Sequence, residues 1–321
     1  MERKAAVEAV LPVPIPHTEF RLARGIRAGR GLFASGLAAT DYTNGVASEV
    51  LQAEHPLNGE SIYKRESRRI YSNVKEVLAA AGAGVADVVR VDQYYTTERA
   101  MHPYHEVRHE IFGSKVPPST SNLHQRFSRT GQSIEIQVMA AVPGTGTIVK
   151  HETFRPSYDI SAVSGYSPAL SAGDFRFVPG QTAEALRDGE GPVDPSVRHP
   201  RAFWRQWPIK LETDFIVKRK LTASLEGAGA SLDGVVKAQV YLSDREDLPG
   251  FNEVWLSHFN GRPPATTIIA TRNPGFVIND LRIEINTISL AAAGKTKAEI
   301  IRGPEPPLFD GWISAIKCYV L

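Results

Sequence analysis

Cysteine is almost absent from this chain of 321 residues, which has Cys318 alone. A single thiol cannot form an internal disulfide, and this favours a reducing compartment, so we predict a cytoplasmic location. Long apolar runs are also missing, including at the amino terminus, where a secretory leader would need one. The sequence therefore predicts neither membrane insertion nor export.

An excess of charge of either sign is missing as well. The 37 basic and 35 acidic residues leave a net charge of +2, which gives no electrostatic reason to expect nucleic acid or a membrane surface as a partner. Apolar residues make up 42% of the chain, as in ordinary globular proteins. A chain of this length can bury two separate cores, so two domains are expected.

What the chain does contain is one pattern that occurs twice. Ala81-Gly82-Ala83 precedes one apolar strand, and Ala228-Gly229-Ala230 precedes another. Farther on, each copy has a pair of prolines followed by Ile134-Glu135-Ile136 or Ile283-Glu284-Ile285. The offset between equivalent residues stays near 144 to 149, which indicates a duplicated unit and two related sites.

Hydrophobic spacing within each copy predicts the order β, α, β, α, β, β, which is an α+β arrangement. We place the first domain at residues 1–150 and the second at 151–295. The second is expected to contain an insertion near 183–209, whose Trp204 and Trp207 either cover a pocket or fix the loop to the body. Residues 296–321 form an apolar tail that we expect to dock on the body or on a partner.

Several of these motifs together resemble the Rid family (reactive intermediate deaminases, also called YjgF). They are Ser35-Gly36 after a strand, Ala-Gly-Ala before a Val-Val strand, Phe251-Asn252-Glu253-Val254 at a helix start, the Pro-x-Thr turn and the Ile-Glu-Ile strand. The resemblance implies two tandem chorismate-mutase-like domains, each a β-sheet backed by two helices. It also implies a homotrimer and the hydrolysis of imines or enamines without a metal or other cofactor.

The resemblance extends to individual site residues. The glutamate that the family uses to orient or deprotonate water matches Glu135 and Glu284, whereas the arginine that holds the substrate carboxylate is replaced by Thr120 and Thr266. Other substrate-binding positions match Tyr166 and Asn252 in the second copy, and Ser35 and His105 in the first. Because a guanidinium is the usual anchor for a carboxylate, its loss disfavours small imino acids as substrates.

Each of these residues also has a structural interpretation. Glu135 and Glu284 alternate with core isoleucines, so each is either a general base in a cleft or a member of a structural hydrogen-bond network. His105 shares a predicted helix face with His102 and His109, and this face is a proton shuttle, a metal site or a surface. Arg126, Arg129 and Arg272 follow the proline turns and are candidates to replace the missing anchor.

The sequence thus predicts a cofactor-free hydrolase or deaminase that acts on an imine, enamine, amide or ring C–N bond of a small molecule. A strand glutamate would activate the water. Two alternatives remain open at this point: a chorismatase-like enzyme, which would need cationic anchors for its dicarboxylate substrate, and a protein that binds small molecules or acts as a scaffold without catalysis.

Overall fold

The computed structural model describes residues 7–14, 18–43, 45–52, 59–127, 130–144, 158, 165–185, 192–198, 207–260, 263–271, 275–276, 278 and 280–294. Trp204, Arg129, Arg272, Cys318 and the tail at 296–321 lie outside these residues. The chain divides into two compact units. The first comprises Met1–His151 with Val163–Ser167, and the second comprises Glu152–Ala162 with Pro168–Leu321.

The first unit is a mixed sheet with helices on one side. Its strands are β1 (Val7–Pro14), β2 (Arg21–Ala28), β3 (Gly31–Ala34), β4 (Leu37–Ala38), β5 (Val88–Tyr95), β6 (Ser119–Leu123) and β7 (Ile134–Ala141). They are ordered β1-β2-β3-β7-β5-β6, and β4 also pairs with β7. The pair β5 and β6 is parallel, whereas the other pairs are antiparallel.

The described part of this unit contains three α-helices: α1 (Ser48–Leu51), α2 (Ile62–Ala80) and α3 (Met101–Phe112). The Ser61 hydroxyl accepts a hydrogen bond from the backbone N–H of Lys64 and so caps the start of α2. Gly82 follows the helix with φ of 76°, a left-handed conformation that suits glycine. The buried face of α2 packs in one core with the apolar faces of β5 and β7; the members include Ile70, Val74, Val77, Val91, Tyr95, Ile134, Ile136 and Val138.

The second unit repeats this arrangement. Its strands are β8 (Leu170–Ala172), β9 (Phe175–Gln181), β10 (Ala230–Leu242), β11 (Ala265–Ala270) and β12 (Ile283–Ala291), ordered β11-β10-β12-β9-β8. Again the edge pair, β10 and β11, is parallel and the others are antiparallel. The strands β9, β12, β10 and β11 thus correspond to β3/β4, β7, β5 and β6, and the predicted tandem α+β fold is confirmed.

The helices of the second unit are α4 (Trp207–Phe215), α5 (Thr222–Gly227) and α6 (Leu248–His258), and a π-helical segment, Ile216–Leu221, joins α4 directly to α5. The loop before α4 is similar in length to its counterpart: Ile62 follows Gly36 by 26 residues, and Trp207 follows Gly180 by 27. The segment 183–209 therefore differs from the first copy in composition more than in length. None of the helices in the described ranges is long and apolar enough to span a bilayer.

Candidate functional site

Each of the two predicted glutamates lies close to a glycine of the chain segment that pairs with its strand. A Cβ placed on Gly36 would lie 2.8 Å from the carboxyl carbon of Glu135, and a Cβ placed on Gly180 would lie 2.5 Å from that of Glu284. Real side chains do not approach this closely, so a larger residue at either position would have to displace the carboxylate from its place. Glu135 is half-buried and Glu284 is buried. The duplicated Gly–Glu contact is therefore a built feature of both units.

The register of the first sheet shows what accompanies Glu135. Glu135 pairs with Tyr94, and Tyr94 in turn pairs with Asn122. Since directly paired residues project on the same side of a sheet, these three side chains form a row across β7, β5 and β6. We call this side the glutamate face; it also carries Arg90 and Asp92 on β5 and Thr120 on β6. Ile134 and Ile136 face the helices on the other side.

A guanidinium does reach the position where the sequence predicted its loss. The side chain of Arg90 donates to the Thr120 hydroxyl at 3.2 Å and to a carboxylate oxygen of Asp92 at 2.7 Å. All three residues are buried. The positive charge of Arg90 is thus balanced by Asp92, and the ion pair lies within the sheet face rather than in a loop.

The second sheet has the same row with different chemistry. Glu284 pairs with Tyr241, and Lys237 lies four residues before that tyrosine, as Arg90 lies four residues before Tyr94. The Lys237 ammonium donates to the hydroxyl of Thr267. The position that corresponds to Asp92 is occupied by Gln239, which pairs with Thr267.

This register corrects one predicted correspondence. Thr266 pairs with Ala238 on the helix side of the sheet, and its hydroxyl donates to the carbonyl of Pro264 at 2.9 Å. It therefore points away from Glu284. Thr267 is the structural counterpart of Thr120, because a shift of one residue in a strand moves a side chain to the other face. Arg90 and Lys237 were not identified from the sequence, although each directly follows the Val-Val pair that marked its strand.

The remaining predicted residues are distributed as follows. The Ser35 hydroxyl donates to the carbonyl of Ala23 at 2.6 Å, beside Gly36. Asn252 is half-buried on α6. Tyr166 was assigned to the second copy, but it belongs to the first unit, where it forms a parallel bridge with Val116 shortly before β6.

The histidines of α3 differ in their surroundings. His102 is exposed and lies 3.3 Å from Glu106, whereas His105 is half-buried and its Nε2 has no hydrogen-bond partner. Burial, helped by the nearby Arg108, lowers the pKa of His105 to about 3, so its ring is neutral at pH 7. Over the described part of the chain, no three His, Cys, Asp or Glu side chains lie close enough to share a metal ion. Arg126 is exposed.

Two further glutamates, which the sequence did not single out, hold the starts of the strands that carry Glu135 and Glu284. Glu66 on α2 accepts hydrogen bonds from the backbone N–H groups of Ser133, at 2.7 Å, and Ile134, at 2.9 Å. Glu212 on α4 accepts one from the backbone N–H of Arg282 at 2.9 Å. Burial raises the pKa of each carboxyl to about 7. Their shared signal in the sequence is an acidic residue near the start of the long helix that precedes the Ala-Gly-Ala motif.

Comparison with known proteins extends these observations. Residues 15–142 and 214–291 match the family model described as Endoribonuclease L-PSP. A RutC family protein of Saccharolobus solfataricus is 34% identical over 128 residues, which are 40% of this chain and 87% of that protein. One from Pyrococcus horikoshii is 33% identical over 128 residues, with the same coverage. The mitochondrial protein MMF1 of Saccharomyces cerevisiae is 27% identical over 124 residues, or 39% of this chain and 74% of that protein.

Solved structures show similarity over a comparable share of the chain. Yeast Mmf1 is 22% identical and covers 44% of this chain and 99% of its own, with a TM-score of 0.35. RidA from the Antarctic bacterium Psychrobacter sp. PAMC 21119 is 17% identical and covers 42% of this chain and 99% of its own, with a TM-score of 0.34.

Proposed function

The chain belongs to the family described as Endoribonuclease L-PSP, also called the Rid or YjgF family, and from this premise we propose that it is a cofactor-free hydrolase of C–N bonds in small molecules. The substrate class is an imine, an enamine, an amide or a ring C–N bond. Water is activated by a strand glutamate, Glu284 or Glu135. The observation that carries the proposal is the contact of each of these carboxylates with a glycine, made twice in one chain.

The chemistry requires one carboxylate and one water for an imine. As the water oxygen bonds to the imine carbon, the glutamate accepts a proton from the water and the imine nitrogen takes up a proton. The carbinolamine nitrogen then takes up the proton that the glutamate holds, the hydroxyl group loses its proton to solvent, the C–N bond breaks and ammonia leaves with the bonding electrons. The overall change is imine plus water to ketone plus ammonia, with no redox step.

The two glutamates are suited to this role to different degrees. Glu284 is buried, so its carboxylate is removed from bulk water, whereas Glu135 is half-buried. We therefore propose the second unit as the first to test.

Each unit also has residues that we propose to position the substrate. In the first unit we propose Ser35, Thr120, His105 and Tyr166, with His105 acting as a neutral ring because its pKa is about 3. In the second unit we propose Asn252, together with Thr267 in place of Thr266. A homotrimer and a cytoplasmic location remain predictions.

The test replaces each glutamate by glutamine. Imines that carry no carboxylate are generated in situ from primary amines by an amine oxidase, and ammonia release is followed for Glu135→Gln, Glu284→Gln and the double variant. Loss of a general base is expected to reduce turnover by about 10²- to 10⁴-fold in the unit that works. The exposed helix residue Glu226, changed to Gln, is the matched control. Turnover that survives in the double variant contradicts a catalytic glutamate.

Binding without catalysis is the second candidate function. It is favoured by the buried Arg90–Asp92 ion pair, which leaves the first unit without net charge at the position of the lost arginine. If this function is correct, the double variant with Glu135→Gln and Glu284→Gln still binds the ligand. Ammonia is then released at the same rate with the wild type, with every variant and without protein.

A further inference from the structure

The glutamate face of the first unit carries four buried polar atoms without a hydrogen-bond partner. They are Oδ1 and Nδ2 of Asn122, Oδ1 of Asp92 and Nε2 of His124. Asn122 is 0% exposed and Asp92 1%. A buried donor or acceptor that lacks a partner costs about 1–3 kcal/mol, so four of them on one face call for an explanation.

These atoms are close together in the sheet. Asn122 lies in the row of Glu135 with Tyr94 between them, and Asp92 lies in the next row on the same side. His124 directly follows β6 and meets the ring of Tyr94 edge-on, with ring centroids 5.3 Å apart. Adjacent strands are about 4.8 Å apart, so the backbone positions of Glu135 and Asn122 are about 10 Å apart. This separation is of the order of the length of a small ring with a hydrogen bond at each end.

The charges on this face favour a neutral ligand. Arg90 is balanced by Asp92, with 2.7 Å between them. Burial lowers the pKa of the His124 ring, which keeps it neutral at pH 7. A carboxylate ligand would approach the carboxylate of Asp92, whereas an N–H group can donate to its Oδ1. The amide of Asn122 offers one acceptor and a donor group side by side, which matches an amide edge that carries both N–H and C=O.

We propose that the first unit binds a neutral cyclic amide or imide, whose N–H and C=O groups pair with the side-chain amide of Asn122 beside Glu135. This inference rests on the proposed function only in taking the glutamate face as the ligand site. The second unit does not share the specificity, because Ile269 occupies the position of Asn122 and Gln239 that of Asp92.

The experiment measures binding rather than turnover, on the full chain. Succinimide and 2-pyrrolidinone are titrated by calorimetry, with sodium acetate as the anionic comparison. We expect the two neutral rings to bind and acetate to bind at least tenfold more weakly. Asn122→Leu is expected to lower the affinity for succinimide at least tenfold. Ile269→Leu, in the second unit, is the matched control and should leave the affinity unchanged.

A second measurement separates a ligand contact from a structural role. If the Asn122 amide serves a ligand, Asn122→Leu removes two unsatisfied atoms and raises the melting temperature while binding is lost. A lower melting temperature, or a smaller assembly by size-exclusion chromatography, means that the amide is satisfied within the protein and overturns the inference. If Asn122→Leu does not fold, that outcome also counts against it, and Asn122→Ser then provides the binding measurement.

Failure of this inference is distinguishable from failure of the proposed hydrolysis. Wild-type protein that hydrolyses imines but binds neither ring contradicts the inference alone. Protein that binds the rings but hydrolyses nothing contradicts the proposed function alone.

Discussion

The buried carboxyl of Glu212 leads to a specific prediction about stability and pH. Glu212 is 4% exposed, and it accepts a hydrogen bond from the backbone N–H of Arg282 at the point where β12 begins. Burial raises its pKa from 4.5 to about 7, against the opposing effects of that hydrogen bond and of the Arg282 charge. The ionised form is therefore less favourable in the folded chain than in the unfolded one.

The sign follows from linkage between protonation and folding. Below pH 4.5 the carboxyl is protonated in both states and costs nothing; the cost grows between pH 4.5 and 7 and is complete above pH 7. A pKa difference of about 2.5 corresponds to about 3 kcal/mol. Glutamine keeps an oxygen that can accept from Arg282 but has no charge, so Glu212→Gln should be more stable by up to about 3 kcal/mol at pH 8 and similar to wild type at pH 4.

Thermal unfolding at pH 4, 5, 6, 7 and 8 provides the assay. The wild type is expected to lose stability between pH 5 and 7 relative to Glu212→Gln. ¹³C NMR of labelled glutamate carboxyls should show two resonances that titrate near pH 7, from Glu66 and Glu212, and one of them should disappear in the variant. Glu226→Gln is the control, since Glu226 is exposed. A variant as pH-dependent as wild type, or a Glu212 resonance that titrates below pH 5, refutes the reasoning.

Two other substitutions test the contact between Gly180 and Glu284 and the buried charge of Lys220. Gly180→Ala places a methyl group where the Glu284 carboxylate lies, so imine turnover by the second unit should fall at least tenfold with Glu284 still present; Gly84→Ala, which meets only one atom at 3.9 Å, should not change it. Lys220→Met should stabilise the protein at pH 7 and lose that advantage by pH 10.5, as measured by urea denaturation. Burial lowers the Lys220 pKa to about 8, so its charge destabilises the folded chain fully below pH 8 and no longer does so above pH 10.5. If Lys220→Met stabilises the protein equally at pH 7 and pH 10.5, this explanation is wrong.

The positions that could be predicted from sequence are those that periodicity determines. Ile134-Glu135-Ile136 has two large apolar residues around an acidic one, and alternation along a strand places the carboxylate opposite the core whatever its partners are. The same reasoning applies to Glu284. The duplicated glycines were visible as well, because Gly36 was noted after its strand, but the contact with a glutamate on another strand depends on strand order.

The parts that could not be predicted depend on shifts of a single residue. A bulge interrupts β5 between Val88 and Arg90, and another interrupts β10 between Val235 and Lys237. These two bulges are equivalent in the two copies, but Thr120 lies two residues after Pro118 whereas Thr267 lies three residues after Pro264. Matching by the proline turn therefore selected Thr266, which is on the other face of the sheet. Tyr166 illustrates a different limit: which unit a linker residue joins is decided by long-range packing, which no local pattern records.

The π-helical segment accounts for a difference of one residue in length between equivalent helices of the two copies. Glu66 and Glu212 are 146 residues apart, whereas Gly82 and Gly229, beyond the same helix, are 147 apart. One residue has therefore been inserted between these points, and the π-helical turn at Ile216–Leu221 accommodates it. Because the extra residue is absorbed within the helix, Glu212 still reaches the start of β12 and the strands behind the helix keep their register.

Divergence between the copies is concentrated where a ligand would be met. The contacts that hold the strand glutamates, from the glycines and from Glu66 and Glu212, occur in both units. On the glutamate faces, by contrast, Asp92 is replaced by Gln239 and Asn122 by Ile269. Glu284 is buried and Glu135 is half-buried, and both are present while their polar neighbours differ. This pattern fits the proposal of two sites that carry out one reaction on different ligands, and the Glu135→Gln and Glu284→Gln variants test it.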